Sequence, residues 1–419
     1  MDFKIFLRIF KGPTLTSLLV LLSVIGPGII TAVIDNDAGG IATYSLAGSN
    51  FGYSTLWVFI PMIIALAVIQ EMNVRMGVVS KKGLESLIRE KIGFKVAFFI
   101  IIALLIANLG NIIAEFLGIA ASSEIFGISP VITLPLAGLF VWILVVKGNF
   151  RIVEKIFLGA AVLFFSYIIV AIIAHPNWGT AAKDAIIPQV TLSTAYTAMI
   201  IGLIGTTITP WMQFYLQASV VEKDISIKNL KYSKIDAITG AIAVNVFAFF
   251  IVVACAATIF KAGTPVNNVV DISHALVPLA GNYAEELFAF GLLNASLFAA
   301  SVLPLSTAYP VCEVLGFESG ISKSIKQAPV FHGIYLGSII LGVLIASIPG
   351  LPVLNILLFS QIINGLLLPF ILILMLIIIN DEKIMGEYVN SRLFNIISWI
   401  TVISMIILSF AFIITQFIT

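Results

Sequence analysis

GPGIITAVIDNDAGGIATYSLAG, residues 26–48, decides the fold. The stretch is apolar enough to sit in a bilayer, yet Gly26-Pro27-Gly28 and then Asp35-Asn36-Asp37-Ala38-Gly39-Gly40 interrupt it. Proline removes a backbone donor and glycine weakens a helix. In a membrane, backbone groups freed in this way are tolerated only where they line a cavity or meet partners. The surroundings place the stretch in a membrane. The chain has 419 residues, of which 60% are hydrophobic and 10% charged, with a mean hydropathy of +1.14. A soluble domain carries about 25% charged residues. The apolar runs are continuous over about twenty residues, without the alternation of a transmembrane β-barrel. The fold class is therefore an all-α polytopic membrane protein.

Other classes fall away on composition. A net charge of +1 without a basic run excludes a nucleic-acid binder. Cys255 and Cys312 lie in apolar runs and offer neither metal-ligand spacing nor a disulfide. His175, His274 and His332 are scattered, which argues against zinc or haem. The sequence offers no nucleophile–base pair. The expectation is no cofactor and no enzyme activity.

Eleven spans are expected, at about 16–48, 53–78, 96–126, 130–147, 154–174, 194–221, 235–260, 285–317, 330–348, 353–380 and 395–417. The first is kept as a true span because no signal-peptide cleavage pattern precedes it. With the N-terminus inside, twenty Lys and Arg fall on the inner side and only Lys183 and Lys261 on the outer. That bias predicts a multi-pass protein of the cell membrane, with a cytoplasmic N-terminus and an external C-terminus. No soluble domain fits, since the longest segments between spans are 175–193 and 261–284. Residues 79–93 read as a short amphipathic inner helix or as a charged linker.

The sixth span is broken like the first. It contains Gly202, Gly205, Thr206-Thr207 and Thr209-Pro210-Trp211-Met212-Gln213. Interruptions in spans one and six suggest two inverted five-helix repeats around a central site. The bland alternative is a pair of ordinary proline kinks. Acids sharpen the choice. Asp35, Asp37, Glu115 and Glu313 fall within apolar runs, and Glu124 falls near the outer end of one. No Lys or Arg lies near the middle of a span, so each buried carboxylate must take a proton or a cation. The alternative is a protonated acid that only bonds helices together, and Glu124 fits a place at the interface.

These residues resemble the Nramp family of divalent-metal transporters. Asp37 lies ten residues after Pro27, where the family has the Asp of Asp-Pro-Gly-Asn, and the Ala-Thr and Ala-Gly-x-x-x-Gly-Tyr landmarks follow in register. IQEMNVRMGVV resembles the second helix, AEFLGIA the third and SQIINGLLLPFILI the tenth, with Gln361 at the family's glutamine. The resemblance implies a single transporter domain of the LeuT type with an inverted 5+5 repeat. Repeat one runs over about 16–174 and repeat two over about 194–380, with an extra helix at 395–417.

The departures bear on the cargo. Asp-Pro-Gly-Asn here reads Asp37-Ala38-Gly39-Gly40, and Met-Pro-His reads Thr209-Pro210-Trp211. The acid expected three residues before Glu115 is Ile112, and 330–348 has no Lys or Arg. A thioether favours transition metals, so its loss removes that bias. Magnesium keeps several waters and uses one or two carboxylates. The pattern is similar to the Nramp-related magnesium transporters. It implies a metal site of Asp37, the Thr206 carbonyl, the Thr209 hydroxyl and Gln361, with Asn364 one turn on and Gly40 making room. Asp35 and Asn36 would add outer oxygens or cap the half-helix. Glu115 could carry a proton, and Trp211 would pack beside the break as a gating residue.

The expected function is uptake of Mg2+, with Mn2+ accepted, by alternating access without proton coupling. The partners are the divalent ion and the bilayer, for a protein working as a monomer. A proton-coupled Mn2+/Fe2+ importer using Met212 is the first rival. An amino-acid transporter on the same scaffold is the second.

Overall fold

The computed structural model describes residues 34–146 and 165–418. The Gly26-Pro27-Gly28 element, most of the first expected span and residues 154–164 of the fifth lie outside the described residues. Within them, all regular structure is helical. The main helices are α1 (Ala38–Phe51), α2 (Phe59–Ser80), α3 (Leu84–Lys91), α4 (Phe94–Ile125), α5 (Pro130–Val146), α6 (Phe165–Ile173) and α7 (Trp178–Ile186). They continue with α8 (Thr194–Thr207), α9 (Pro210–Glu222), α10 (Leu230–Cys255), α11 (Ala284–Leu315), α12 (Pro329–Ala346), α13 (Val353–Ile379) and α14 (Arg392–Ile418).

Among the described residues, eight helical stretches are long and apolar enough to cross a membrane, and α5 is a shorter apolar helix. The count of eleven is therefore not reached within the described part. Both expected breaks are present. Asp35 and Asn36 turn, and Asp37 is extended with φ −71° and ψ −176° before α1 begins. The sixth span divides at Ile208 and Thr209 into α8 and α9, with Pro210 opening α9. A proline suits that place because its missing N–H is one the first turn would leave unused.

The segment at 79–93 resolves in favour of a helix. Its short helix α3 buries Leu84, Glu85, Leu87 and Ile88. It packs against α4, α9, α11 and α13 at one end of the bundle. Elsewhere the outer faces are apolar and exposed, as at Val131, Ile132 and Leu136 on α5 and Ile400, Ile407 and Phe410 on α14. Such faces suit hydrocarbon rather than water.

Close backbone approach holds the centre. The helices α8 and α13 meet glycine to glycine. A Cβ on Gly205 would run into the Gln361 carbonyl oxygen and come within 2.8 Å of Gly365 Cα. A Cβ on Gly365 would come within 2.6 Å of the Ile201 carbonyl oxygen. Small residues that let backbones touch are a usual basis for helix association in lipid. Gly205→Ala should lower stability by about 1–3 kcal/mol, the usual cost of overpacking. Gly333→Ala has nothing within 4 Å of the new Cβ and should not. Thermal unfolding of the two variants in detergent checks this.

Candidate metal site

The site forms where α1 begins. The first turn of a helix leaves backbone N–H groups without partners. Here acids supply them. Asp37 Oδ1 accepts the Gly40 N–H at 2.6 Å, Glu115 Oε2 accepts the Ala38 N–H at 3.2 Å, and the Asp37 carbonyl accepts the Ile41 N–H at 2.8 Å. Glu115 comes from α4, which approaches closely because of Gly118, where a Cβ would stand 2.6 Å from Ala38 Cβ. The Glu115 carboxyl stands beside that of Asp37.

Asp35, Asp37 and Glu115 are all buried, and among the described residues none has a Lys, Arg or His ion-pair partner. Asp35 Oδ2 and Glu115 Oε1 have no hydrogen-bond partner among the described residues. Buried carboxyls without a basic partner call for a proton or a cation.

Gly40 marks where that charge fits. A Cβ there would lie 3.3 Å from Asp37 Oδ1, 3.3 Å from Thr206 Oγ1 and nearer still to the Asp35 carbonyl oxygen. A carboxylate, a hydroxyl and a backbone carbonyl thus gather closely about Gly40, where a side chain would not fit. This set differs in detail from the expected ligands. Thr206 presents its hydroxyl, and Asp35 turns its main-chain oxygen inward.

The remaining expected residues fall at graded distance. Thr209 Oγ1 reaches Asp35 Oδ1 at 3.5 Å, at the limit of a hydrogen bond. Gln361 lies against Gly39, with its Nε2 on the near side and its Oε1 accepting from Asn364 Nδ2 at 2.9 Å. Asn364 also exchanges hydrogen bonds with Asn111, at 3.0 and 3.3 Å. Asn364 therefore orients Gln361 rather than facing the oxygen cluster. Asn36 is buried in the turn. Trp211 is buried, its ring 6.3 Å from that of Tyr215. Met212 points elsewhere, its sulfur taking a hydrogen bond from Gln70 Nε2 at 2.8 Å.

Glu313 does not join these acids. It lies near the end of α11, beside Ser86 of α3. Sequence reading also passed over the buried pair Glu71–Arg75, at 2.9 Å, with Lys234 at 2.6 Å from Glu71. The signal was present in the i, i+4 spacing of Glu71 and Arg75 within an apolar helix.

The profile of the Nramp family, natural resistance-associated macrophage protein-like, matches residues 28–415. The chain belongs to the Nramp family. Solved structures share its fold. A manganese transporter of Eremococcus coleocola, in complex with an aromatic bis-isothiourea substituted compound, is 22% identical with a TM-score of 0.76, over 95% of this chain and 87% of that one. MhsT in complex with L-phenylalanine is 17% identical with a TM-score of 0.61, over 92% and 98%. Mhp1, a nucleobase-cation-symport-1 family transporter, is 15% identical with a TM-score of 0.55, over 84% and 77%. The Nramp chain thus has the fold of a multi-pass membrane transporter rather than of an enzyme.

The geometry separates two substitutions. Gly40→Ala should weaken any divalent-metal binding at the site about tenfold or more, since displacing one oxygen need cost only about 1.4 kcal/mol. Met212→Leu should leave it unchanged. Isothermal titration of the purified variants with Mg2+ reads both.

Proposed function

We propose that this Nramp chain carries divalent cations into the cell by alternating access, with Mg2+ as the main cargo, Mn2+ also accepted and no proton coupling. One observation carries the reading: the nearest atoms about Gly40 are oxygens of Asp35, Asp37 and Thr206. A hard cation prefers such donors, and magnesium in particular works with one or two carboxylates and retained water. The soft donor that would favour manganese or iron is absent at Thr209, and the Met212 sulfur is engaged by Gln70.

The scaffold is shared with proteins of other cargo, MhsT with L-phenylalanine among them. An amino acid would bring its own carboxylate to the N-terminus of α1. Asp37 and Glu115 already occupy that terminus with negative charge. Like charges there disfavour such a ligand and favour a cation.

Absence of coupling rests on the seam between α4 and α12. The sequence lacks an acid at Ile112 and any Lys or Arg at 330–348. In the fold Gly342 of that stretch meets Ile112 and Phe116. A Cβ on Gly342 would stand 2.9 Å from Ile112 Cγ2 and 2.6 Å from Phe116 Cδ2. On the other side of α4, Asn108 bonds Ser306 and Thr307, and Asn111 bonds Asn364. Neutral amides hold no net proton. The membrane potential suffices as a drive, at about 2.3 kcal/mol per charge per 100 mV, or about 4.6 for a divalent ion.

The basic loops place the N-terminus and α3 on the cytoplasmic side. The two inverted repeats, about 16–174 and 194–380, bring the broken helices to the bilayer centre in a protein acting as a monomer.

Proteoliposomes with an enclosed Mg2+-sensitive dye test the proposal. Saturable Mg2+ influx is expected for the wild type and none for Asp37→Ala or for Asp37→Asn, which keeps an N-cap acceptor. A pH-sensitive dye should report no acidification during that influx. Robust Mn2+ influx without Mg2+ influx, or influx accompanied by protons, would overturn the corresponding part.

A further inference from the structure

A second acidic pair lies away from the central site, at the end of the bundle that α3 covers. Glu85 of α3 is 1% exposed, and neither of its carboxyl oxygens has a hydrogen-bond partner among the described residues. Its near neighbour is Glu313 of α11, which is half-buried. A Cβ on Gly83 would run into Glu85 Oε1 and stand 2.5 Å from Glu313 Oε2. Two carboxylates from different helices therefore converge over a glycine that leaves them room. Ser86 Oγ joins them, 2.7 Å from Glu313 Oε2.

The basic side chains nearby are engaged with other groups. Lys81 pairs with Asp224 at 2.7 Å and Lys82 with Glu90 at 2.7 Å. Arg89 Nη1 donates to the main-chain carbonyls of Val314, at 2.9 Å, and Glu313, at 3.4 Å. Lys91 pairs with Asp381 at 2.5 Å. Two carboxyls brought this close out of water need a shared proton or a cation between them.

We infer that Glu85, Glu313 and the Ser86 hydroxyl form a second site for a hard divalent cation, at the inner exit of the transporter. The donor set is oxygen only, two carboxylates and a hydroxyl, which suits a partly hydrated ion. Half-buried Glu313 gives the site an open side. Its position follows from α3, which lies across the ends of α4, α9, α11 and α13. The inference rests on the cargo and the orientation proposed above, and its test is independent of transport.

The test counts bound Mn2+ by electron paramagnetic resonance in the purified full chain, with Mg2+ as competitor. The Asp37→Ala variant should still bind about one Mn2+ that Mg2+ displaces. Adding Glu313→Gln, Glu85→Gln or Gly83→Ala to that background should abolish it. Glu313→Gln changes a half-buried group and serves if the Glu85 variant fails to fold. Absence of Mn2+ binding in Asp37→Ala would overturn the inference, and so would binding that survives Glu313→Gln. If wild-type liposomes carry no Mg2+ while Asp37→Ala still binds Mn2+ through Glu85 and Glu313, the exit site stands and the transport reading fails.

Discussion

The Asp37 carboxylate accepts the Gly40 N–H at 2.6 Å and stands beside the Glu115 carboxyl, which takes the Ala38 N–H. The rest of the centre depends on that arrangement. A helix that starts inside a bilayer has orphan donors and no water to satisfy them. Two acids satisfy them here, and the positive end of the helix dipole favours their charge. The same groups that let α1 begin at this depth are the acids of the proposed site. The helix break and that acid cluster are one feature.

Much of this was legible in the sequence. Pro210 and the Asp35–Gly40 cluster announced the two breaks, because an apolar run has few reasons to contain them. Unpaired Asp37 and Glu115 announced a counter-charge. What the sequence hid was side-chain direction. Nothing in the order of residues says that Thr206 would offer its hydroxyl and Asp35 its carbonyl, or that Asn364 would turn to Asn111. Glu313 shows the limit clearly. Its place in an apolar run grouped it with the central acids. Its partner, however, is Glu85, 228 positions earlier on a short helix whose buried face cannot be read from its charged sequence. The count of spans was constrained less well, because part of the first and fifth fall outside the described residues.

Two losses in the sequence become one in the structure. Ile112 and Phe116 of α4 pack closely on Gly342 of α12, a helix without Lys or Arg. Removing one partner of a buried pair leaves an uncompensated charge, at a cost of about 3–5 kcal/mol, whereas replacing both with apolar groups is close to neutral. The paired absence is therefore the stable form of the change.

The glycine seam between α8 and α13 has a mechanical consequence. Backbones in direct contact, with Gly205 on the Gln361 carbonyl and Gly365 on that of Ile201, bring the two helices close together. The outer half of the broken sixth helix is thereby fastened to α13. Its inner half, α9, is joined to it only through Ile208 and Thr209. Were α9 to turn against α8, the bend would fall on Ile208 and Thr209, and Thr206 would stay with α8.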